Sequence, residues 1–566
     1  MYEAQYDDDD NQIPIPEEVQ KSVIAAFLRF EIFCSDFRVP FKNIRIIATE
    51  ATRKAINGEE FVDRVARETG LQVDILSQAD EGETGAWGIA SSASVIDGLV
   101  MDLGGGSTQI TWMITRNGHM RISPKGSFSF PYGAAALTQR LASIEKKYKS
   151  KKEVNAAKQA LREEMKTNLL SAYKGLEVPS ELVERAKNDG GFTLYLSGGG
   201  FRGWGYLLLY EAQKHKEHYP ISIINGFVAR KKDFADIKRI EKVADEAKRI
   251  FRVSDRRREQ VPAVAFLVNV LAEIIPHGIN EAHFCQGGVR EGVLFKTLPP
   301  EIRMQSPIEV ATAPYARPLA AKLWKLLHDA LPPNNDHSQL AAMEANEVDD
   351  GWNEVPSHKL IRQVPASFTK HIIHAMANMI YLHADMSKEL SSAVALYTTT
   401  AGVLADTQGT SHKNRALLAI LLEARYTGDL PPRDYSYREA LRQLLTPAEL
   451  WWVNYLGAVA LVLGRVYPAG GKDDMEACGS DECCPIEHVE RPQVVRASRS
   501  SPDEMAPTAL RRPHHKKPHL NLKACIADDL GKSGDKSGLR LVFTLRMREH
   551  IRDDPVSCIN LYGARI

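Results

Sequence analysis

The sequence predicts an α/β protein followed by a separate all-helical part. Three observations carry that prediction. Short β-prone runs at 44–49, 73–76, 100–103 and 193–196 alternate with stretches of helical apolar spacing. Two of these runs lead into glycine triplets, one directly at Gly104 and one through Ser197 at Gly198. From residue 305 onward the periodicity turns wholly helical, with Pro, Gly, Asn and Asp between the segments.

Bulk composition narrows the class. A chain of 566 residues holds three or more domains. Lys and Arg number 72 and Asp and Glu 72, so net charge gives no sign of a nucleic-acid or membrane partner. No apolar run approaches the roughly 20 residues that span a bilayer. The amino terminus, with Asp7, Asp8, Asp9 and Asp10, is the opposite of a signal peptide. Seven cysteines, mostly scattered, imply no disulfide framework, which indicates a reducing compartment, the cytoplasm.

Residues 1–12 read as an acidic disordered tail. Helical spacing of Val19, Val23, Ala26, Phe27 and Phe30 follows, then a buried strand over 44–49. A helix begins at Glu50, so Thr49 and Arg53 lie at a strand-to-helix turn, where ligand groups are often placed. Another helix covers 61–69 and another strand 73–76. Asp80, Glu81 and Glu83 then crowd a strand end ahead of a helix through Trp87 and Ile89. They read as an acidic helix start favoured by the helix dipole, or as a carboxylate aimed at a water or metal.

The run Val100-Met101-Asp102-Leu103-Gly104-Gly105-Gly106-Ser107-Thr108-Gln109-Ile110 predicts a hairpin around a loop without side chains. Glycines there reach backbone angles closed to other residues, so successive N–H groups can share one concavity. Such a nest beside Ser107 and Thr108 suits a phosphate. Asp102 at the strand end suits Mg²⁺, a hard cation that takes oxygen ligands.

Residues 127–133 read as a turn, and 134–173 as two long amphipathic helices. The strand at 193–196 runs into Ser197-Gly198-Gly199-Gly200, a second glycine loop built like the first, which strengthens the case for phosphate or nucleotide. Arg256, Arg257 and Arg258 read as surface charge; a buried helix covers 261–275, and a third glycine turn covers 287–292. Residues 468–520 read as a disordered linker, and 521–566 as a small β-like segment. Cys478, Cys483, Cys484 and His488 match no common zinc spacing.

These pieces, in order, resemble the exopolyphosphatase/guanosine-pentaphosphatase (Ppx/GppA) family. The matching segments are 48–57, 76–88, Asp102 to Thr108, Tyr132-Gly133, Ser197 to Gly200 and Arg290-Glu291-Gly292. The resemblance implies two ribonuclease-H-like α/β domains of the actin–hexokinase–Hsp70 superfamily around a phosphate cleft, here 13–96 and 97–304. It also implies an all-helical, degenerate HD-like domain over 305–467. His328-Asp329 offers the one His-Asp pair there, with no suitable His before it in the same domain, so no metal hydrolase centre is expected.

Carried over by position, Glu81 matches the family's catalytic glutamate, Asp102 its metal-binding aspartate and Arg53 an arginine that balances phosphate charge. Gly104, Gly105, Gly106, Ser107 and Thr108 match its second phosphate loop. The family's first phosphate loop and its β-meander have no counterpart in this chain, which predicts an open sheet edge. The family's glutamate after Gly-Gly-Gly-Ser-Thr is Gln109 here.

Details such as Pro131-Tyr132-Gly133-Ala134-Ala135-Ala136-Leu137 look like a fungal branch of the family. That branch is understood as an ATP-binding cytoplasmic sensor in mitochondria-to-nucleus retrograde signalling, acting on a regulatory protein partner. The expectation is therefore a regulatory protein that binds ATP or polyphosphate with Mg²⁺, with weak or no hydrolysis. A working Mg²⁺-dependent phosphoanhydride hydrolase with Glu81 as general base is the alternative. A homodimer stays open.

Overall fold

The computed structural model describes residues 12–116, 119–215, 219–247, 249–332, 363–468 and 542–545. Its first unit is built on β1 (Ile44–Ala48) and β2 (Val73–Ile75), parallel, with Ile46 opposite Val73 and Ala48 opposite Ile75. Helices α1 (Glu17–Asp36), α2 (Glu50–Arg53) and α3 (Gly58–Thr69) accompany them. Val19, Val23, Phe27 and Phe30 recur every three or four residues, so one stripe of α1 meets Ile46 of β1 and Phe61 and Val65 of α3.

Next come α4 (Gln78–Ala90) and a seven-stranded sheet. Its strands are β3 (Asp97–Leu103), β4 (Thr108–Arg116), β5 (His119–Ile122), β6 (Phe128–Phe130), β7 (Phe192–Ser197), β8 (Phe227–Arg230) and β9 (Ile279–Phe284). They stand in the order β5-β4-β3-β7-β9-β8, with β6 also beside β4. β3, β7 and β9 are parallel to one another. The crossovers that parallel pairing requires are α5 (Ala134–Lys147), α6 (Lys151–Gly175), α7 (Ser180–Asn188), α8 (Gly198–His215), α9 (Lys231–Phe234), α10 (Ile237–Glu246), α11 (Asp255–Glu259) and α12 (Val261–Ile274).

Strand alternation decides what faces what. Leu99, Met101 and Leu103 of β3, with Leu194 and Leu196 of β7, point into the large core under α5, α6, α8 and α12. Val100 and Tyr195 point the other way, into a smaller cluster with Ala86 and Ile89 of α4. Asp102 shares the Val100 face by its period of two, so its carboxylate is directed at α4. α4 therefore packs on the second sheet although its residues fall in the range expected for the first unit. It is held against α13 (Val289–Thr297) at van der Waals range. A Cβ on Gly88 would lie 2.0 Å from the Gly288 carbonyl oxygen, and one on Gly292 would lie 1.8 Å from that of Thr84.

The helical part comprises α14 (Pro300–Arg303), α15 (Pro307–Thr312), α16 (Ala320–Asp329), α17 (Lys370–Met379), α18 (Lys388–Tyr397), α19 (His412–Arg425), α20 (Pro432–Arg442) and α21 (Pro447–Val466). α19 is its central rod, with residues 415–423 buried. The buried Arg415 guanidinium donates to the carbonyls of Thr399 (2.6 Å) and Leu404 (2.9 Å), which ties the preceding loop to the rod. That loop is fastened to the sheet unit through Gly409 N–H to the Ser92 carbonyl (3.2 Å). The Asn225 amide donates to the same carbonyl (3.1 Å).

Three expectations are revised. Residues 127–133 contain β6, which extends the sheet past β4 instead of merely turning. Ser197 to Gly200 form no loop: β7 passes straight into α8 at Gly198. The β1 edge expected to be open carries β10 (Val542–Leu545), antiparallel, with Ile44 opposite Leu545. The expected tail at 1–12, apart from Gln12, the linker at 469–520 and the remainder of 521–566 lie outside the described residues. Among the described residues no helix is long and apolar enough to cross a membrane.

Candidate functional site

Two glycine segments meet at the carboxyl ends of β3 and β7, the end of a parallel sheet where ligand crevices form. Asp102 is paired with Ser197 across the two strands. The next residue, Gly198, has φ +89°, and a Cβ there would lie 2.3 Å from Asp102 Oδ1 and 2.2 Å from the Leu103 carbonyl oxygen. Only glycine satisfies both the left-handed backbone and the contact. Gly200 is as confined: its Cβ would fall 2.4 Å from Leu103 Cδ2.

The hairpin between β3 and β4 is closed by Gly104 N–H to the Ser107 carbonyl, 2.9 Å. Its carbonyls turn toward the start of α5. Ala134 N–H donates to Gly104 O (2.9 Å), Ala135 N–H to Gly105 O (3.0 Å) and Gly133 N–H to Gly106 O (3.1 Å). In a trans peptide the N–H opposes the preceding C=O, so the amides of Gly105, Gly106 and Ser107 point together away from α5. Gly105 is exposed, and an added Cβ on it meets nothing within 4 Å. The side chains behave differently. Thr108 is fully buried and its hydroxyl donates to the Tyr132 carbonyl (2.8 Å), while Ser107 Oγ accepts from Gln109 Nε2 (2.7 Å). Both hydroxyls brace the hairpin, and the face offered to an anion is backbone.

Glu81 lies in the first turn of α4, whose N-cap Ser77 accepts from Asp80 N–H at 3.1 Å. Its carboxylate is buried, and Arg53 Nη2 donates to Oε2 at 3.1 Å. Arg53 Nη1 donates to the Leu76 carbonyl (2.5 Å), so the guanidinium bridges the ends of β1 and β2 to α4. One turn beyond Glu81, a Cβ on Gly85 would lie 3.5 Å from Asp102 Oδ2. Positions four apart on a helix are about 5–6 Å apart, which brings Glu81 and Asp102 to one end of one seam. That seam is closely packed, and its narrow crevice is lined by Gly82, Gly85, Asp102, Gln109, Thr111 and Ser127.

A second, small recess of about 10 Å³ opens at the start of α8, between Gly199, Gly200, Gly203 and Trp204 on one side and Arg257 and Gln260 on the other. The sequence presents Arg257 as plain surface charge; no local signal brings it to Gly199, because the contact is made by the packing of α11 on α8. Arg290 donates through Nε to Glu291 (2.9 Å), whose other oxygen accepts from Gly288 N–H (3.0 Å), at the start of α13.

Asp102 fits Mg²⁺ in one mode. Among the described residues no three His, Cys, Asp or Glu side chains converge as a metal cage. A single carboxylate at a strand end suits an ion that keeps waters and arrives with phosphate oxygens. The expected absence of a metal hydrolase centre concerned His328, which is exposed beside Asp329, whereas His371 and His374 both approach Glu309. The Cys478 cluster lies outside the described residues.

Comparison with known proteins gives concordant results. The family model described as the Ppx/GppA phosphatase family matches residues 3–301, and the model described as the RTG2 C-terminal domain matches residues 350–478. Retrograde regulation protein 2 of Saccharomyces cerevisiae is 36% identical over 490 residues, covering 84% of this chain and 76% of the yeast protein. A guanosine-5'-triphosphate,3'-diphosphate pyrophosphatase of Vibrio cholerae is 36% identical over 73 residues, 13% of this chain and 15% of that protein. Among solved structures, the Ppx/GppA phosphatase of Aquifex aeolicus is 24% identical, with TM-score 0.35, covering 50% of this chain and 85% of that one. An exopolyphosphatase of Cytophaga hutchinsonii is 17% identical, with TM-score 0.35, covering 51% and 85%.

Proposed function

This chain belongs to the Ppx/GppA phosphatase family, and we propose that it is a regulatory nucleotide- or polyphosphate-binding protein of the retrograde-signalling type, with little or no turnover. The observation that carries the reading is the meeting of Asp102, the Gly104 hairpin and the start of α8 at one sheet end. There backbone amides point into open space in front of Gly105. An anion is held by such amides and by the helix start, and Mg²⁺ on Asp102 offsets its charge. In this reading β1 and β2 belong to the first ribonuclease-H-like domain, the seven-stranded sheet to the second, and the helical part is HD-like without metal chemistry.

Binding is favoured over hydrolysis by how the acids are used. Hydrolysis needs a base within reach of the attacking water. Glu81, the residue matched to that base, is buried and tied to Arg53. Gln109, where the family has an acid, is neutral and spends its amide on Ser107. A regulatory protein partner and a cytoplasmic location are part of the same proposal.

Calorimetric titration with ATP, guanosine tetraphosphate and short polyphosphate, with and without Mg²⁺, tests the binding. Phosphate release, compared between the native chain and Glu81→Ala, tests the chemistry. Saturable Mg²⁺-dependent binding with release at background in both proteins is expected. Release that disappears in Glu81→Ala overturns the sensor reading in favour of a hydrolase, and no binding to any of the three overturns both.

A further inference from the structure

Among the described residues two arginines are buried, both on α19, and they are treated differently. Arg415 donates to the carbonyls of Thr399, Leu404 and Thr407. Arg425, the last residue of α19, is 7% exposed, and its Nε is buried without any acceptor. Glu423, two positions back, is no counterion for it, because its carboxylate accepts from Arg438 (3.2 Å). Burial, and after it the positive charge of Arg465, pulls the Arg425 pKa below the ordinary arginine value. A charge taken out of water and left unpaired opposes folding, where a methionine of similar reach would not.

The surroundings hold this guanidinium ready. The rings of Tyr426 and Tyr381 lie 4.8 and 5.8 Å from its Cζ. Both rings are fixed from elsewhere: the Tyr426 hydroxyl donates to the Ile380 carbonyl (3.1 Å), and the Tyr381 hydroxyl to that of Tyr467. Gly464 of α21 forms a further wall. A Cβ there would lie 1.9 Å from Arg425 Nη2 and 2.2 Å from Cζ, so any side chain would expel the guanidinium. The next residue, Arg465, is exposed, and Lys322 Nζ stands 5.3 Å from the centre of the Tyr467 ring. Basic side chains thus gather about one corner of the helical part.

We propose that this corner is an oxyanion site, separate from the glycine hairpin, where free phosphate or the terminal phosphoryl group of a small molecule binds Arg425 with Arg465 beside it. A planar guanidinium fork matches two oxygens of one group. More than one positive charge suits a doubly charged phosphate better than a single carboxylate. The proposal rests on neither Asp102 nor the hairpin.

Hydrogen exchange of the full chain, followed as inorganic phosphate is added, tests it. Slower exchange is expected at 380–382, 424–428 and 462–467, saturating with phosphate and unchanged in Gly105→Ala, which alters the hairpin. Arg425→Met is expected to abolish this protection. In phosphate-free buffer the same variant should melt at or above the native temperature, because it removes an uncompensated charge. Arg465→Gln, at an exposed position, should fold normally and weaken the phosphate response by about tenfold. Absence of local protection in the native chain overturns the proposal, and so does protection that survives Arg425→Met. An Arg425→Met chain that melts well below native without phosphate overturns it in favour of a cation–π staple. Acetate protecting as well as phosphate overturns it in favour of a carboxylate site.

Discussion

Arg53 donates to Glu81 across 3.1 Å, from the turn after β1 to the first turn of α4. The two residues are 28 positions apart, and their contact fastens the first unit to the helix that carries the matched catalytic acid. Glu81 is buried while Arg53 is 23% exposed, so the pair is only partly screened by solvent.

Removing the guanidinium by Arg53→Ala leaves a buried carboxylate without that partner. The expected cost is about 1–3 kcal/mol, below the value for a fully buried pair because Arg53 reaches water. Arg53→Lys keeps the charge but gives up the fork that serves Glu81 and Leu76 together, so it should fall between. Hydrogen exchange of the α4 amides measures the effect locally. Faster exchange confined to α4 and to the β1 and β2 ends is the expected pattern, and uniform exchange across the chain would refute the fastening role.

Gly198 and Gly85 approach opposite oxygens of Asp102, and they are expected to respond differently to the same methyl group. At Gly198 the backbone is left-handed and the Cβ would overlap Asp102 Oδ1 at 2.3 Å. Gly198→Ala should therefore displace the carboxylate and weaken Mg²⁺-dependent ATP binding at least tenfold, besides costing about 1–2 kcal/mol in backbone strain. At Gly85 the Cβ would meet Oδ2 at 3.5 Å, an ordinary contact, and helix propensity favours alanine. Gly85→Ala is expected to keep both affinity and stability. Titration calorimetry on the two variants decides it, and equal losses in both would sink the assignment.

Much of this site was legible because it is local. The β3–β4 hairpin is written in one stretch: an apolar run closing on Asp102, three glycines, then β-prone residues. The second glycine segment misled because glycine is a poor helix former, so Gly198, Gly199 and Gly200 read as a loop. Close packing of α8 on Leu103 outweighs that propensity, and a side chain at Gly200 would prevent it. Contacts between distant segments were not legible. Nothing near Arg53 announces Glu81, nothing near Arg257 announces Gly199, and the three residues of β6, closed by Pro131, are too few for a period of two to stand out.

His412, the first residue of α19, is buried where the helical part meets the sheet unit. Its Nε2 faces the Ile223 carbonyl at 2.8 Å and so carries the proton, while Nδ1 accepts from the Tyr219 hydroxyl at 2.7 Å. Burial, reinforced by the charge of Arg415, pushes its pKa down from 6.5 to about 3. A depressed pKa on a base means that the unfolded chain binds the extra proton first. Stability is then unaffected above the unfolded value of 6.5, falls as the pH drops below it, and stops falling near 3. By about pH 5 the loss reaches about 2 kcal/mol. His412→Gln removes the titration, so its melting temperature should be lower than native at neutral pH yet decline less on acidification from about pH 7 to about pH 5. Parallel declines in the two proteins would contradict the assignment.

Gly105 and Gly133 make the sharpest contrast, because they touch each other and differ in what surrounds them. Gly105 faces open space and its φ is not left-handed, so Gly105→Ala should fold with unchanged stability. A Cβ on Gly133 would lie 2.3 Å from the Gly105 carbonyl oxygen. That backbone cannot move without losing the bonds from Gly133, Ala134 and Ala135 that orient the hairpin amides. Gly133→Ala is therefore expected to destabilise by about 1–3 kcal/mol and to abolish phosphate-ligand binding through a residue that never meets the ligand. Gly105→Ala should weaken binding alone, since its methyl group enters the space in front of the amides. Melting temperature and pyrophosphate affinity, measured together on both variants, separate the cases. If Gly105→Ala leaves affinity untouched, the anion is held elsewhere and the hairpin is only a brace for α5.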